Sequence, residues 1–219
     1  MVKDGRPTLG VGLVGYAFMG AVHSQAWRCV GRMFDLPVSP AMTALCGRDP
    51  DGVQNAVARF GWASVETDWR RLLERDDVHL VDICTPGDDH AELAIAALAA
   101  GMQVLCEKPL VNTVEEAVAM TAVAEPAAER GVRSTVGFNY RRVPARTVAR
   151  RLVKAGRPGT IRHVRAQYLQ DWIREGADPT PSFADGLQVQ RVLAAEERSA
   201  DNGSCRQQVE GAYTVGKAR

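Results

Sequence analysis

Short apolar segments alternate with helix-like segments from Leu9 to Phe138, and this alternation limits the possible fold more than any other feature of the sequence. The apolar segments have the length of buried strands, and several of the helical segments run for about 10–15 residues. This order predicts an α/β fold in which helices cover both faces of a parallel sheet. The predicted strands are Leu9–Gly15, Ala41–Cys46, Ala63–Val65, Val78–Cys84, Gln103–Cys106 and Val132–Phe138, and the predicted helices run from the first turn to about Val30 and over Pro50–Phe60, Asp68–Glu74, Asp88–Ala100 and Thr113–Arg130.

The charge balance argues against nucleic acid or an anionic membrane surface as a partner. Lys and Arg total 27 and Asp and Glu total 26, which gives a net charge of +1. No apolar run approaches the ~20 residues needed to cross a bilayer, and the short polar N-terminus is unlike a signal peptide. The five cysteines lack CxxC pairs and metal-ligand spacing, which predicts buried thiols in a cytoplasmic protein without a metal site.

The first predicted strand ends in a turn with a glycine at each end, Gly15 and Gly20, and with Ala17 at the middle position of a GxGxxG-like pattern. A diphosphate needs backbone N–H donors at close range, and a helix N-terminus supplies them together with partial positive charge. Because the turn joins a strand to a helix, it favours a dinucleotide site that includes Phe18 and Met19 as well. Alanine in place of the middle glycine is a mild departure, which would move the pyrophosphate slightly outward.

The second predicted strand ends at Cys46 and is followed by Arg48 and Asp49. An acidic residue in this region holds the adenosine ribose of NAD, whereas an arginine can pair with the 2′-phosphate of NADP and stack on adenine. Arg48 makes NADP slightly favoured, and Asp49 leaves NAD open. The distance from Gly20 exceeds the usual spacing because residues 34–40 look like an inserted loop.

The pattern changes after residue 140, and a domain boundary is predicted there. The dinucleotide-binding domain would occupy residues 1–140, and a partial second domain would occupy residues 141–219. The elements predicted for the second domain are a helix with a basic outer face over Arg142–Ala155, a long strand over Gly159–Trp172 and a terminal amphipathic helix over Phe183–Ser199.

Further motifs, found in the expected order, resemble the Gfo/Idh/MocA oxidoreductases. They are His23 after the turn, Thr85-Pro86 with His90 at the start of the next helix, Glu107-Lys108-Pro109 after the fifth strand, and Gly137-Phe138-Asn139-Tyr140-Arg141. The resemblance covers about Leu9 to Trp172. It implies an N-terminal Rossmann domain, a doubly wound sheet that binds NAD(P), and a C-terminal α/β domain that binds a sugar, cyclitol or similar polyol and often mediates oligomers.

The resemblance also implies roles for single residues. Lys108 is the predicted catalytic residue, since a lysine at the carboxyl end of a strand beside the cofactor can orient the reacting hydroxyl and stabilise developing negative charge. Thr85, Pro86 and Glu107 are implied beside it on the nicotinamide side. The full set of predicted cofactor contacts is Gly15, Ala17, Phe18, Met19, Gly20, Arg48, Thr85, Pro86, His90, Glu107, Lys108 and Asn139.

The last third of the sequence departs from the family pattern. Family members carry a motif of the form GxxxDxGxHxxD in the substrate domain, whereas this chain has no histidine after His163. The residues beyond Trp172 resemble the family's last helix, which indicates a truncated remnant of the C-terminal domain. Three hypotheses stay open: an NAD(P)-dependent oxidoreductase acting on a polyol or sugar, a non-catalytic nucleotide-binding or interaction protein derived from that family, and a decayed or mis-assembled reading frame with no selected role. A strand without its sheet would favour association, so a homo-oligomer is a further expectation.

Overall fold

The computed structural model describes residues 2–3 and 5–163, with side chains from Gly5 onward. The chain divides into two compact units, Met1–Arg157 and Pro158–Arg219. The first unit therefore continues past residue 140, where the sequence pattern changes. The predicted helix Phe183–Ser199, the predicted strand beyond residue 163 and the remnant domain that they would form lie outside the described residues.

A parallel sheet of six strands forms the centre of the first unit, and a short N-terminal strand pairs antiparallel with one of them. The strands are β1 (Val2–Lys3), β2 (Arg6–Val14), β3 (Ser39–Cys46), β4 (Ser64–Glu66), β5 (Leu80–Ile83), β6 (Gln103–Cys106) and β7 (Ser134–Val136). The parallel strands follow the order β4-β3-β2-β5-β6-β7. The chain thus builds outward from β2 in one direction and then, from β5, in the other, which is the Rossmann arrangement with its switch point between β2 and β5.

Six helices connect or follow these strands, and local sequence signals explain several of their ends. The helices are α1 (Phe18–Met33), α2 (Pro50–Phe60), α3 (Trp69–Leu73), α4 (His90–Ala99), α5 (Val114–Glu129) and α6 (Pro144–Lys154), with 3₁₀ turns at Gly87–Asp89 and Asn139–Arg142. The Asp49 side chain caps α2 by accepting a hydrogen bond from the Gly52 N–H, and Gly61 ends that helix in the left-handed conformation. Thr113 and Glu116 form a reciprocal capping box at the start of α5.

The sheet is covered on both faces, so it has two buried apolar clusters. One cluster joins the sheet to α3, α4 and α5, with Leu72, Leu93 and Leu98 among its buried residues. The other joins the sheet to α2 and to parts of α1, with Val53 and Trp62 buried in it. Because strand side chains alternate between faces, β2, β3 and β5 contribute to both clusters.

Helix α6 differs from the other long helices because it buries no side chain within the described part of the chain. Its apolar residues Val148, Leu152 and Val153 are 52%, 46% and 48% exposed. The fold of residues 5–138 therefore does not depend on this helix. None of the helices described is both long enough and apolar enough to cross a bilayer.

The predicted fold class is confirmed, and most predicted elements are found with small changes at their ends. Helix α4 starts later than predicted because the residues after Pro86 form a 3₁₀ turn. The hairpin of β1 with β2 was not predicted, since two residues carry no periodic signal. Residues 159–163 form no strand, so the prediction that began at Gly159 is wrong there: Gly159 has a φ of 69°, which is left-handed rather than extended backbone.

Candidate functional site at the carboxyl edge of the sheet

The predicted site residues follow different strands but meet at one edge of the sheet. Parallel strands end at the same edge, so Gly15 after β2, Thr85 after β5 and Glu107 after β6 lie along neighbouring strand ends. In open α/β sheets, ligands bind at this edge, beside the switch point. The sequence-predicted residues are therefore brought to the place where this architecture binds ligands.

The turn between β2 and α1 is built from backbone at close range. Gly15 has a φ of 97°, and its N–H donates to the Cys46 carbonyl at 2.9 Å. A Cβ on Gly20 would lie 2.1 Å from the Gly15 carbonyl oxygen, so only glycine fits where the helix crosses back over the strand end. This close approach explains the glycine at each end of the turn.

The start of α1 is suited to an anion. Ala17 occupies the N-cap position, no side chain caps the helix within the described residues, and the first turn contains no acidic residue. The N-terminal N–H groups and the helix dipole therefore face the sheet edge without a competing negative charge. The Phe18 side chain is 74% exposed, whereas Met19 packs against the core and fixes the direction of the helix.

The end of β3 presents both residues that bear on cofactor choice. Arg48 and Asp49 are both exposed, and one carboxylate oxygen of Asp49 accepts a hydrogen bond from the Gly52 N–H at 3.1 Å, which caps α2. The Tyr16 ring lies against Gly47 and Gly52, where added Cβ atoms would meet it. The two residues predicted to bear on cofactor choice are thus an exposed arginine and a carboxylate that already has one partner.

The loop after β5 contains a buried polar atom that lacks a partner. The Thr85 hydroxyl oxygen is buried and makes no hydrogen bond within the described part of the chain. A buried hydroxyl without a hydrogen-bond partner costs free energy, so such groups are found where a ligand or water supplies the missing hydrogen bond. Pro86 is exposed beside it.

His90 connects this loop to the one after β6. Its ring is 1% exposed, with Nε2 at 2.9 Å from the Thr85 carbonyl and Nδ1 at 3.0 Å from the Pro109 carbonyl. All its described contacts are with backbone carbonyls, which gives it a bracing position between two loops of the edge. Its predicted contact with the cofactor stays a prediction.

The turn after β6 separates a buried acid from an exposed cation. Glu107 is 5% exposed and Lys108 is exposed, and the backbone N–H of Lys108 donates to Glu107 Oε2 at 3.1 Å. The peptide bond between Lys108 and Pro109 is cis. The Lys108 ammonium group is thus presented to solvent at the edge, while the carboxylate before it points into the protein.

A buried network behind Glu107 was not predicted. Asp82, with no exposed surface, accepts a hydrogen bond from Trp27 Nε1 at 2.7 Å and lies 2.9 Å from His23 Nδ1. The other ring nitrogen of His23 lies 3.1 Å from Glu107 Oε1. The sequence did carry one signal for it, an aspartate inside the apolar run VHLVDIC, because a buried strand rarely holds a charge without a partner.

Burial and charge in this network shift the pKa of several groups. Burial of the ring lowers the pKa of His23, but the hydrogen bond and charge of Asp82, followed by those of Glu107, raise it by more, so the pKa lies above its ordinary value of 6.5. Burial, followed by the charge of Asp82, raises the pKa of the Cys84 thiol and raises that of Cys106 to about 12. Both thiols are therefore neutral at physiological pH.

Asn139 follows β7 in a segment that is hydrogen-bonded, through Gly137, to the end of β6. The Gly137 N–H donates to the Cys106 carbonyl at 2.7 Å, and the Asn139 N–H donates to the Gly137 carbonyl at 2.8 Å. Asn139 is exposed at the start of a 3₁₀ turn. It therefore belongs to the same edge as Lys108.

Comparison with known proteins decides the family. Residues 9–138, more than half of the chain, match the Gfo/Idh/MocA family, described as an oxidoreductase family with an NAD-binding Rossmann fold. The chain belongs to this family. The resemblance predicted from the sequence motifs is thereby confirmed.

Two curated members of the Gfo/Idh/MocA family illustrate the relationship. Over 172 residues the chain is 40% identical to a levoglucosan dehydrogenase of Pseudarthrobacter phenanthrenivorans. The aligned region covers 78% of this chain and 43% of that protein. Over 181 residues it is 32% identical to inositol 2-dehydrogenase 4 of Saccharopolyspora erythraea. This second aligned region covers 83% of this chain and 49% of that protein. The chain thus spans about half the length, or less, of these relatives.

Solved structures of family members agree with this fold. An oxidoreductase domain protein from Kribbella flavida superposes with a TM-score of 0.73 and 66% identity, covering 76% of this chain and 44% of that one. A levoglucosan dehydrogenase in complex with NADH superposes with a TM-score of 0.67 and 38% identity, covering 69% of this chain and 40% of that one. The Rossmann fold is therefore assigned from relatives whose sequence identity to this chain, 66% and 38%, is high enough to show more than a shared fold.

The described residues fit the dinucleotide that the family implies. The uncapped N-terminus of α1 suits the pyrophosphate, and the Gly15–Gly20 turn lets the backbone approach it. The buried Thr85 hydroxyl without a partner suits a polar group of the nicotinamide half. Lys108 and Asn139 are exposed on the same side of the switch point.

Proposed function

We propose that the protein is an NAD(P)-dependent oxidoreductase that transfers a hydride between nicotinamide and the carbon of a secondary hydroxyl in a sugar, cyclitol or similar polyol. The observation that carries the proposal is the exposed Lys108, which directly follows β6 at the edge that also holds the glycine turn. The names of the curated relatives, levoglucosan dehydrogenase and inositol 2-dehydrogenase, support a sugar or cyclitol as substrate.

The proposed chemistry divides between cofactor and protein. Bound nicotinamide supplies the hydride acceptor or donor. When an alcohol is oxidised, the ammonium group of Lys108 would hold the hydroxyl and stabilise the negative charge that develops on its oxygen, while the hydroxyl proton leaves to water at this exposed edge. The other edge residues bind and orient, so that the reacting carbon and the ring stay at close range.

Cofactor choice is proposed to depend on Arg48. Its exposed guanidinium, directly after β3, supports contact with a 2′-phosphate and hence a preference for NADPH. The levoglucosan dehydrogenase, in contrast, has NADH bound in its solved structure. The cytoplasmic location and the homo-oligomer stay predictions.

Turnover of the wild type and of Lys108→Ala tests the proposal. Levoglucosan and myo-inositol are offered with NAD⁺ and with NADP⁺, and reduced nicotinamide is followed by absorbance. Lys108→Ala is expected to lower turnover by about 100-fold or more, since loss of one group that stabilises a developing oxyanion costs about 10²–10³-fold. The free energy of unfolding should change little, because the side chain is exposed.

Lys154→Ala is the matched control, because Lys154 is an exposed lysine at the end of α6. It should turn over like the wild type. Equal activity in Lys108→Ala and Lys154→Ala would refute the role of Lys108.

A second candidate, a non-catalytic dinucleotide-binding protein, is favoured by one observation. Residues 164–219 contain no histidine, although the family motif GxxxDxGxHxxD requires one. Saturable NADH binding by the wild type, with no turnover of any polyol or sugar offered, would support this candidate over the first.

A further inference from the structure

The His23 ring lies between two buried carboxylates. Its Nδ1 is 2.9 Å from Asp82 Oδ2, its Nε2 is 3.1 Å from Glu107 Oε1, and the side chains of the three residues are 14%, 0% and 7% exposed in the order His23, Asp82, Glu107. The three groups come from α1, β5 and the turn after β6. The ring therefore links one strand and one turn of the edge to the helix that begins at the phosphate-binding turn.

The partners determine the protonation state of this ring. Carboxylate oxygens only accept hydrogen bonds, so both ring nitrogens must donate, and an imidazole does this only as the imidazolium cation. Each carboxylate also accepts a second N–H bond, Asp82 from Trp27 and Glu107 from the backbone of Lys108. Both carboxylates are thus held by a second donor besides the His23 ring.

The other titratable groups nearby do not compete for this role. The Cys84 sulfur lies 3.7 Å from Asp82 Oδ1, and Cys106 is the last residue of β6. Both thiols are neutral because burial raises their pKa. The Lys108 side chain is exposed. Among the described residues, His23 is thus the cation that faces both carboxylates.

Glu107 also has little freedom to move. A Cβ on Gly137 would lie 2.6 Å from Glu107 Oε1, so the glycine after β7 leaves the space that the carboxylate fills. Glu107 in turn accepts from the backbone N–H of Lys108. Holding the carboxylate therefore holds the backbone of the residue that follows.

We infer that His23, as a buried imidazolium, is a positioning residue that ties the Glu107–Lys108 turn to helix α1, and that loss of its proton weakens cofactor binding as pH rises. The inference rests on the proposed function, since it assumes that α1 receives the pyrophosphate and that the turn faces the nicotinamide. It adds a pH-dependent link between the two halves of the cofactor site.

The expected pH dependence has a definite sign. A histidine whose pKa is higher in the folded than in the unfolded protein contributes stability that is complete below its unfolded value of about 6.5 and is lost as pH rises through the folded value. The free energy of unfolding attributable to His23 should therefore decrease above pH 6.5. NADH affinity should decrease over the same interval.

Nuclear magnetic resonance of the imidazole nitrogens in the wild-type chain tests the protonation state directly. The protein has four histidines, and the exposed His163 serves as the internal reference. We expect the His23 ring to carry a proton on both nitrogens at pH 6.5 and to lose one of them as pH rises. A neutral His23 ring at pH 6.5 would overturn the inference, whatever the cofactor measurements show.

A functional arm uses His23→Gln, whose neutral amide can still donate to one carboxylate. We expect its NADH affinity at pH 6 to fall by about tenfold relative to the wild type, because a misplaced site residue costs up to about 100-fold. Its affinity should also become independent of pH between 6 and 9. His79→Gln is the control, since His79 lies at the opposite edge and accepts from the Gly10 N–H.

The outcomes separate the two claims. If the wild type binds NADH and His23→Gln keeps the same affinity and pH profile, the inference fails and the proposed function stands. If the wild type binds neither NADH nor NADPH at any pH, the proposed function fails, and the inference, which assumes it, fails with it. A misfolded His23→Gln leaves the decision to the resonance titration and to the wild-type pH profile of NADH binding, where a flat profile contradicts the inference.

Discussion

The two turns that frame the proposed cofactor site are built from different materials. The Gly15–Gly20 turn consists of backbone and small or apolar side chains, with a glycine where any Cβ would meet the Gly15 carbonyl oxygen. The Glu107–Lys108 turn rests on two buried carboxylates and a histidine between them. The first should therefore be sensitive to added volume and indifferent to pH, and the second should show the reverse.

Buried charge is an expensive way to hold a turn. Taking carboxylates and an imidazolium out of water costs several kcal/mol, which pairing recovers only in part. A packed apolar side chain would brace the backbone at lower cost. The presence of the network at the one edge suited to ligands therefore fits a functional constraint, as expected where a sequence departs from the usual rules.

The largest predicted effect is that of Gly20→Ala. The new methyl group would lie 2.1 Å from the Gly15 carbonyl oxygen, so either the turn or the helix must move. We expect NADH binding to be lost and the free energy of unfolding to fall by about 3 kcal/mol, the cost of severe overpacking. Denaturant unfolding and nicotinamide fluorescence measure the two quantities.

Gly31→Ala is the matched control in the same helix. The nearest atom to its added Cβ would be 4.0 Å away, so the change should stabilise the protein by about 0.5–1 kcal/mol through lower backbone entropy in the unfolded chain. If alanine were tolerated equally at Gly20 and Gly31, the claim that the Gly15–Gly20 turn is sensitive to added volume would be wrong.

Asp82→Asn tests the charged half. Because the side chain is fully buried and accepts from both Trp27 and His23, we expect the free energy of unfolding to fall by about 2 kcal/mol. The control is Asp35→Asn, which breaks the exposed ion pair with Arg6 and should cost less than about 1 kcal/mol. A loss no greater than that of the control would show that the buried charge contributes little.

Arg48→Ala has the smallest predicted effect and tests neither turn but the neighbouring strand end. Loss of a guanidinium–phosphate contact should weaken NADPH binding by about tenfold, while NADH binding changes by less than about twofold. Parallel titrations with both cofactors measure this. An equal loss for both cofactors would remove Arg48 as the determinant of cofactor choice.

Periodicity and local signals were sufficient to predict most of the fold. Helix α2 and strand β6 have the predicted bounds, because proline and glycine mark the ends of the helix and the strand is a short apolar run closed by polar residues. The same reasoning placed Gly15, Thr85 and Lys108 at strand ends, and parallel topology brings these ends together.

The contacts inside the site were beyond sequence reasoning. His23 and Glu107 are 84 residues apart in sequence. No local sequence signal shows that helix α1 places the His23 ring beside the Glu107 carboxylate. The bracing position of His90 depends likewise on the path of the chain after Pro109. Long-range pairing of polar side chains is fixed by how the helices pack on the sheet, which periodicity does not specify.

Titration of the wild-type chain with NADH and NADPH, followed by nicotinamide fluorescence, tests the central claim most directly. The account predicts saturable binding of at least one of the two with a dissociation constant below about 1 mM, or about −4 kcal/mol. No binding of either cofactor by protein that is folded by circular dichroism would contradict it.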